Sequence, residues 1–237
     1  MKIRKRIFLI LLVAIVVSVP DANRLQLLAS KTKAPMTLVV DAGHGGPDGG
    51  AEGADGTLEA DLNLAVAKAV KREGVKRGYQ IIMTRDSEEG LYEAENLEKK
   101  WSKLGDMKAR KTTMEQSGAD AVITIHMNCF AQDHAVRGAQ TFYPKSGNAE
   151  VLKVSEAIAE SVQNQLNKKL DDGNSRVHMG KGDVYLLENP ARPIVLVECG
   201  FLSNSRDLTN LKQPAHQQKL AACILDGVAE GLLANIN

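Results

Sequence analysis

Cysteine, aromatic residues and net charge are all scarce in this chain of 237 residues. Three cysteines, an odd and small number, do not suit a fold held together by disulfides. Aromatic residues make up 4% of the chain and the formal net charge is +1. Since the sequence also lacks a long basic patch with interleaved aromatics, nucleic-acid binding is not expected. With 43% hydrophobic residues, a chain of this length is expected to fold around its own core.

The N-terminus has the pattern of an export signal. The basic sequence MKIRKR precedes an apolar run, Ile7 to Val19, in which Ser18 is the one polar residue and which Pro20 ends. The run is shorter than the roughly 18 apolar residues of a membrane-spanning helix, and no clear small-residue cleavage site follows it. We predict that residues 1–35 are a signal peptide or an N-terminal membrane anchor plus a tether. A buried helix of the fold is the alternative. Residues 36–237 are then exported across the cytoplasmic membrane and face outward in the cell envelope.

The rest of the chain alternates between short apolar runs and longer amphipathic segments. This pattern predicts βαβ units, and hence a single α/β domain with a twisted, mostly parallel sheet and helices on both faces. The highly charged stretch 86–106 is predicted to be a loop or a short helix, and 171–183 a loop. The predicted strands are 37–41, 79–84, 121–125, 139–143 and 193–198. The predicted helices are 57–74, 107–118, 148–169 and 216–236.

The stretch VVDAGHGGPDGG, residues 39–50, places five glycines around His44. Glycine is used where backbone turns tightly or approaches another group closely, at a cost in folding entropy. Such a loop could cradle a phosphate or present a metal ligand. It lacks the Lys-Ser/Thr ending of a P-loop and the spacing of a dinucleotide fingerprint, and an exported protein meets little nucleotide. The metal-ligand interpretation is therefore favoured.

Three predicted strands each lead to a side chain that can bind a metal or transfer a proton. His44 follows the first strand, His126 ends the strand AVITI with Asn128 just beyond it, and Glu198 ends PIVLVE. The carboxyl ends of parallel strands meet at one edge of a sheet, where ligands bind. Glu59 lies in the first turn of the helix after the glycine loop, where it either faces the loop or simply stabilises the helix N-terminus.

Two histidines and a carboxylate are the ordinary protein ligands of a catalytic zinc ion. A second carboxylate can then move protons between water and a leaving amine. Each histidine alone could equally be a core or surface residue. Cys129 and Cys199 could be ligands or a disulfide, but small buried residues are favoured for both, and Cys223 is predicted to be core. His134, His178 and His216 are predicted to lie at the surface.

Five motifs occur in the order seen in one enzyme family. VVDAGHGGPDGGA, LEADLNL, ADAVITIHMN, GAQTFY and PIVLVECGFLSN resemble the motifs of zinc-dependent N-acetylmuramoyl-L-alanine amidases of the amidase 3 type. The resemblance covers nearly all of residues 36–237. It implies a single α/β domain, one Zn²⁺ per chain, and peptidoglycan as substrate. The bond cleaved would be the amide between N-acetylmuramic acid and the L-alanine of the stem peptide.

The resemblance also implies roles for individual residues. His44, Glu59 and His126 would bind zinc, and Glu198 would be the catalytic acid and base. Arg110 aligns with a recurrent arginine of the family, with an architectural or a substrate-side role, and Asn128 is a candidate substrate contact. The chain departs from the family pattern at three places: Thr124 replaces a common serine, Glu115 a frequent asparagine, and Ala60 a frequent lysine. None of these changes affects a predicted ligand.

An export signal followed by a bare catalytic domain most resembles the spore-cortex, germination-associated amidases. Two alternatives stay open at this point. One is an exported zinc peptidase or carboxypeptidase of the same architecture, and the other is a non-catalytic peptidoglycan-binding module. The stretch 86–106 is the candidate segment for docking an activator protein.

Overall fold

The computed structural model describes residues 35–92, 100–170 and 175–234. The predicted signal peptide or anchor, up to residue 34, lies outside this range, and so does the 93–99 part of the charged stretch. Residue 35 onward forms one compact unit. Across the described ranges, none of the helices combines the length and apolar character that crossing a bilayer requires.

Strands and helices alternate through most of the described chain. The strands are β1 Thr37–Ala42, β2 Gln80–Met83, β3 Ala121–Asn128, β4 Gln140–Pro144, β5 Met179–Lys181 and β6 Ile194–Phe201. The α-helices are α1 Glu59–Lys76, α2 Lys103–Gln116, α3 Ala149–Leu170, α4 Ser205–Leu211 and α5 Pro214–Leu233. A 3-10 turn, Tyr185–Leu187, precedes β6.

The six strands form one sheet in the order β2-β1-β3-β6-β4-β5. β2, β1, β3 and β6 are parallel to one another. β4 pairs antiparallel with β6 and parallel with β5. The predicted mostly parallel sheet is therefore confirmed, with an antiparallel pair added at one side.

Both faces of the sheet are covered, so the central strands are apolar on both sides. Val40 and Ile123 belong to a large buried cluster with α1, α3 and α5. Val39 and Val122, one residue earlier in each strand, belong to a second cluster with Met114 of α2. This alternation is the period-2 pattern of a strand, and it confirms the prediction of helices on both faces.

Several local predictions need correction. The predicted loop 171–183 contains β5, whose three residues are too few to show a strand pattern, and α4 was not predicted. α2 begins at Lys103 inside the charged stretch, where the Ser102 side chain accepts a hydrogen bond from the Gly105 N–H and caps the helix. The predicted helix 57–74 begins two residues later than expected, and Leu58, just before it, is 37% exposed.

Candidate metal centre

The glycine loop turns sharply after β1. His44 itself has φ 59°, and Gly45, Gly46 and Gly50 also have positive φ. A histidine in this left-handed region is uncommon and strained. The strain is held by the surrounding loop: the Gly45 N–H donates to Asp48 O, and the Gly46 N–H donates to Glu88 O at 2.7 Å.

Two glycines make room for the site side chains. A Cβ on Gly43 would lie 2.3–2.7 Å from atoms of the His126 ring. A Cβ on Gly50 would lie 2.6 Å from Glu59 Oε2 and 2.9 Å from His44 Cδ2. Real Cβ atoms essentially never come this close to other heavy atoms. The glycines therefore let three polar side chains pack directly against backbone.

His44, Glu59 and His126 converge at the carboxyl edge of the sheet. One ligand atom from each lies within 4.8 Å of the other two. Glu59 Oε1 is 3.3 Å from His44 Nε2 and 3.0 Å from His126 Nδ1. The two rings meet edge to face, with centroids 5.1 Å apart. The predicted donor set is thus assembled in space from three separate parts of the sequence.

Glu59 is 4% exposed and is held on all sides. Its Oε2 accepts the Ala51 N–H at 2.9 Å, and its Oε1 accepts the Met127 N–H at 3.1 Å. Asn63, one helical turn later, donates Nδ2 to the same Oε1. Burial alone would raise the pKa of Glu59, but hydrogen bonds with His126 and His44 outweigh it and lower the pKa far below its usual range. The carboxylate is therefore ionised.

His44 is oriented by a second carboxylate. Its Nδ1 is 2.9 Å from Asp48 Oδ2, which leaves Nε2 facing Glu59. Lys103 Nζ, at the start of α2, lies 3.2 Å from the same Asp48 oxygen. Burial opposes the charged ring, yet Glu59 and Asp48 together raise the pKa of His44. A carboxylate behind a histidine is the usual arrangement at metal sites.

Glu198 lies beside His126, because the two residues are register partners in the β3–β6 pair. The side chain is partly buried, and its Oε2 is a buried atom without a hydrogen-bond partner among the described residues. Burial raises the pKa of this carboxyl, with a smaller contribution in the same direction from Glu59. A carboxyl of this kind is suited to exchanging a proton.

Arg110 lies in the interior below the site. Its side chain is 5% exposed and donates two hydrogen bonds to the fully buried Asp41. Arg110 Nε lies 2.8 Å from Asp41 Oδ1, and Arg110 Nη2 lies 2.5 Å from Asp41 Oδ2. Thr84 and Thr124 donate their hydroxyls to the same carboxylate. The sequence left an architectural and a substrate-side role open for Arg110. Its guanidinium is buried, which agrees with the architectural role and corrects the candidate substrate contact.

Three residues around the site were missed from sequence. Asp48 stands four residues after His44 in the glycine loop. Asn63 stands four residues after Glu59 and therefore lies on the same face of α1, so its helical spacing could have indicated that it contacts Glu59. Arg85 is the second residue after β2, and so reaches the same sheet edge. No sequence pattern identified its role.

Asn128 and the other candidate residues differ in exposure. Asn128 is partly buried at the end of β3, where its Oδ1 accepts the Cys129 N–H, and its substrate role stays a prediction. Cys129 is exposed, which corrects the expected burial, because it lies just past the strand. Cys199 and Cys223 are buried as predicted. His134 is exposed, whereas His178 and His216 are partly buried.

In this mostly parallel α/β domain, two imidazoles from the strand side meet a carboxylate from the first turn of α1, and a second carboxyl lies beside them. Such a set of side chains is typical of a metal-dependent hydrolase. Residues 38–230 match the N-acetylmuramoyl-L-alanine amidase family, and the chain belongs to that family.

Individual relatives agree with this assignment. The chain is similar to a germination-specific N-acetylmuramoyl-L-alanine amidase of Bacillus subtilis, 35% identical over 81% of this chain and 77% of the relative. It is also similar to the amidase LytC of Bacillus subtilis, 29% identical over 84% of this chain and 37% of the relative. Among solved structures, the CwlD amidase from Clostridioides difficile, in complex with the GerS lipoprotein, superposes with a TM-score of 0.76 at 34% identity. That match covers 84% of this chain and 100% of CwlD.

Proposed function

We propose that the chain hydrolyses the amide bond between the lactyl group of N-acetylmuramic acid and the L-alanine of the peptidoglycan stem peptide. The observation that carries this proposal is the convergence of His44, Glu59 and His126 beside Glu198 in a chain of the amidase family. The reaction breaks a C–N bond, gives the lactyl carboxylate, and releases the alanine amine.

We assign one Zn²⁺ to this site, where His44, Glu59 and His126 would hold it. The donor chemistry fits, since two imidazoles and an ionised carboxylate are ordinary zinc ligands, and Asp48 orients the first ring. Bound zinc would act as a Lewis acid on the scissile carbonyl and lower the pKa of a bound water to about 7.

Glu198 is assigned the proton transfers. It takes a proton from the attacking water and gives it to the departing alanine nitrogen, so one carboxyl serves as base and then as acid. The unpartnered Oε2 and the raised pKa of this carboxyl support both roles. Asn128, just past the same edge, is assigned to bind the substrate, and the bare backbone of the glycine loop leaves room for a bulky glycan strand.

Digestion of intact peptidoglycan tests the proposal. The purified, zinc-loaded protein is incubated with peptidoglycan with and without chelator, and the fragments are analysed by mass spectrometry. We expect free stem peptides beginning with L-alanine, matched by peptide-free glycan and lost with chelator. Cleavage within the stem would identify a peptidase instead. Bound zinc without any cleavage of this substrate contradicts the proposal as stated.

We also propose that the enzyme is exported, acts on spore cortex, and works with a protein partner at the membrane. The germination-specific relative and the lipoprotein complex of CwlD support these assignments. Cortex from spores that lack the gene should contain less peptide-free muramic acid than wild-type cortex. Unchanged cortex composition contradicts the cortex role.

The proposed partner is tested separately, by using the protein to capture a lipoprotein from envelope membranes. Failure to capture one contradicts the proposed partner.

A further inference from the structure

Arg85 joins the two segments that carry His44 and Glu59. It is 5% exposed, and its guanidinium donates four hydrogen bonds to backbone carbonyls. Nε donates to Ala42 O at 3.0 Å, and Nη2 donates to Gly43 O at 2.9 Å, both directly before His44. Nη2 also donates at 2.9 Å to Ala60 O, directly after Glu59.

The fourth hydrogen bond connects the Arg85 guanidinium to the segment that follows β2. Nη1 donates to Ser87 O at 2.9 Å, and the next residue, Glu88, accepts the Gly46 N–H. Gly45 passes so close to the arginine that a Cβ there would lie 2.8 Å from Arg85 Nε. The glycine loop is thus closed over the guanidinium, with carbonyls of the loop and of α1 aimed at one planar group.

We propose that Arg85 is a positioning residue that sets the spacing between His44 and Glu59, and thereby the affinity of the site for a divalent metal ion. The proposal rests on the zinc centre assigned above. Groups that orient metal ligands are typically worth about 10–100-fold in metal affinity. Arg85 acts through the backbone on either side of the ligands and does not touch the metal.

Arginine is specifically suited to connecting the segment before His44 with the start of α1. Its planar fork presents donors at fixed angles, whereas the ammonium group of lysine is a single point with three donors. Arg85→Lys keeps the positive charge and one or two of the hydrogen bonds. It cannot hold the carbonyls of Gly43 and Ala60 in the same spacing.

The test measures zinc affinity of the full chain by chelator competition for the wild type, R85K and R77K. Arg77 is the matched control. It ends the same helix at its far end and donates from Nε to Glu73 and from Nη1 to Asp226. The thermal midpoint of each zinc-free protein, and its rise on adding zinc, are recorded alongside.

We expect R85K to bind zinc about 10–100-fold more weakly than R77K and to gain less in thermal midpoint on zinc addition. The zinc-free midpoint of R85K should be the lower of the two, because buried carbonyls lose a donor, so both affinities are measured at a temperature at which both zinc-free variants are folded. Arg85→Gln, which keeps donors but not the fork, should weaken zinc binding as well. Unchanged affinity in both Arg85 variants overturns the proposal. Failure of R85K to fold also overturns it, because the role would then be structural. A wild type that binds no zinc instead overturns the zinc centre itself, and this proposal with it.

Discussion

Glu198 and His126 are adjacent across two strands, but they are assigned different chemistry. His126 belongs to the donor set, whereas Glu198 approaches it with a partly buried carboxyl whose Oε2 has no hydrogen-bond partner in the described part of the chain. Loss of a metal ligand should remove both binding and turnover. Loss of a proton-exchanging group should remove turnover alone.

Glu198→Gln is therefore expected to lower kcat by about 10²–10⁴-fold while zinc stays near one equivalent. The amide keeps the shape of the side chain but cannot accept and return the proton. His44→Ala should lose both zinc and activity. Zinc content by atomic absorption and release of stem peptides are the two measurements, with the exposed Glu188→Gln as control. Full activity in the Glu198 variant contradicts its assigned role.

Asp48→Asn tests whether the carboxylate behind His44 matters. The change removes the negative charge 2.9 Å from His44 Nδ1, so zinc affinity should fall about tenfold or more. Asp55→Asn is the control, since Asp55 is an exposed carboxylate paired with Lys212. Competition with a chromogenic chelator gives both affinities. Equal affinities for the two variants would rule out an orienting role for Asp48.

The glycine loop is an element whose sequence is dictated by close contact rather than by turn geometry alone. A Cβ on Gly43 would collide with the His126 ring. Gly43→Ala is therefore expected to displace His126 and weaken zinc binding at least tenfold, with overpacking that costs about 1–3 kcal/mol of stability.

Gly182→Ala is the matched control for this change. Its Cβ would meet nothing closer than the Lys145 side chain at 3.8 Å, so zinc affinity should be unchanged. Isothermal titration with zinc and denaturant unfolding separate the two effects. If Gly43→Ala binds zinc as tightly as Gly182→Ala, then the close approach to His126 does not position the ligand.

Elements with a strong pattern were predictable, and those fixed by long-range packing were not. β1, β3 and β6 are buried on both faces and therefore form apolar runs in the sequence. These runs located His44, His126 and Glu198 toward the carboxyl ends of the strands, although β3 and β6 continue past His126 and Glu198. β5 has three residues, and the orientation of β4 depends on its pairing with β6. The role of Arg85 was not predicted because its hydrogen-bond partners are backbone carbonyls. Every residue has a backbone carbonyl, so the spacing of side chains does not indicate which of them an arginine will contact.

At the scale of the whole molecule, Asp41 ties the sheet to α2. It accepts hydrogen bonds from Thr84 after β2, Thr124 on β3 and Arg110 on α2. Burial by itself would raise the pKa of Asp41, but Arg110 and the two hydroxyls outweigh it and lower the pKa from 3.8 to about 2. The folded state therefore holds the ionised carboxylate more tightly than the unfolded chain does.

This shift predicts a loss of stability in acid. The contribution of Asp41, about 2 kcal/mol, is present above pH 3.8 and disappears as the pH falls through about 2. Denaturant unfolding at pH 6, 4 and 2.5 measures it for the wild type and Asp41→Asn. The stability gap between them should narrow by roughly two thirds of this amount between pH 6 and pH 2.5, because the folded carboxylate is only partly protonated at the lower pH. A gap that stays constant with pH contradicts the paired, ionised state of Asp41.

Among the described strands β6 comes last in chain order, yet it lies between β3 and β4 in the sheet. Until it inserts, the β2-β1-β3 half and the β4-β5 half share no strand pairing. Because Glu198 is on this joining strand, the pairing that makes the sheet continuous is also the one that brings Glu198 beside His126. A chain in which β6 has not yet paired therefore lacks the carboxyl to which the proton transfers are assigned. In refolding experiments, activity should return together with hydrogen-exchange protection of the β6 amides, and earlier activity would contradict this order.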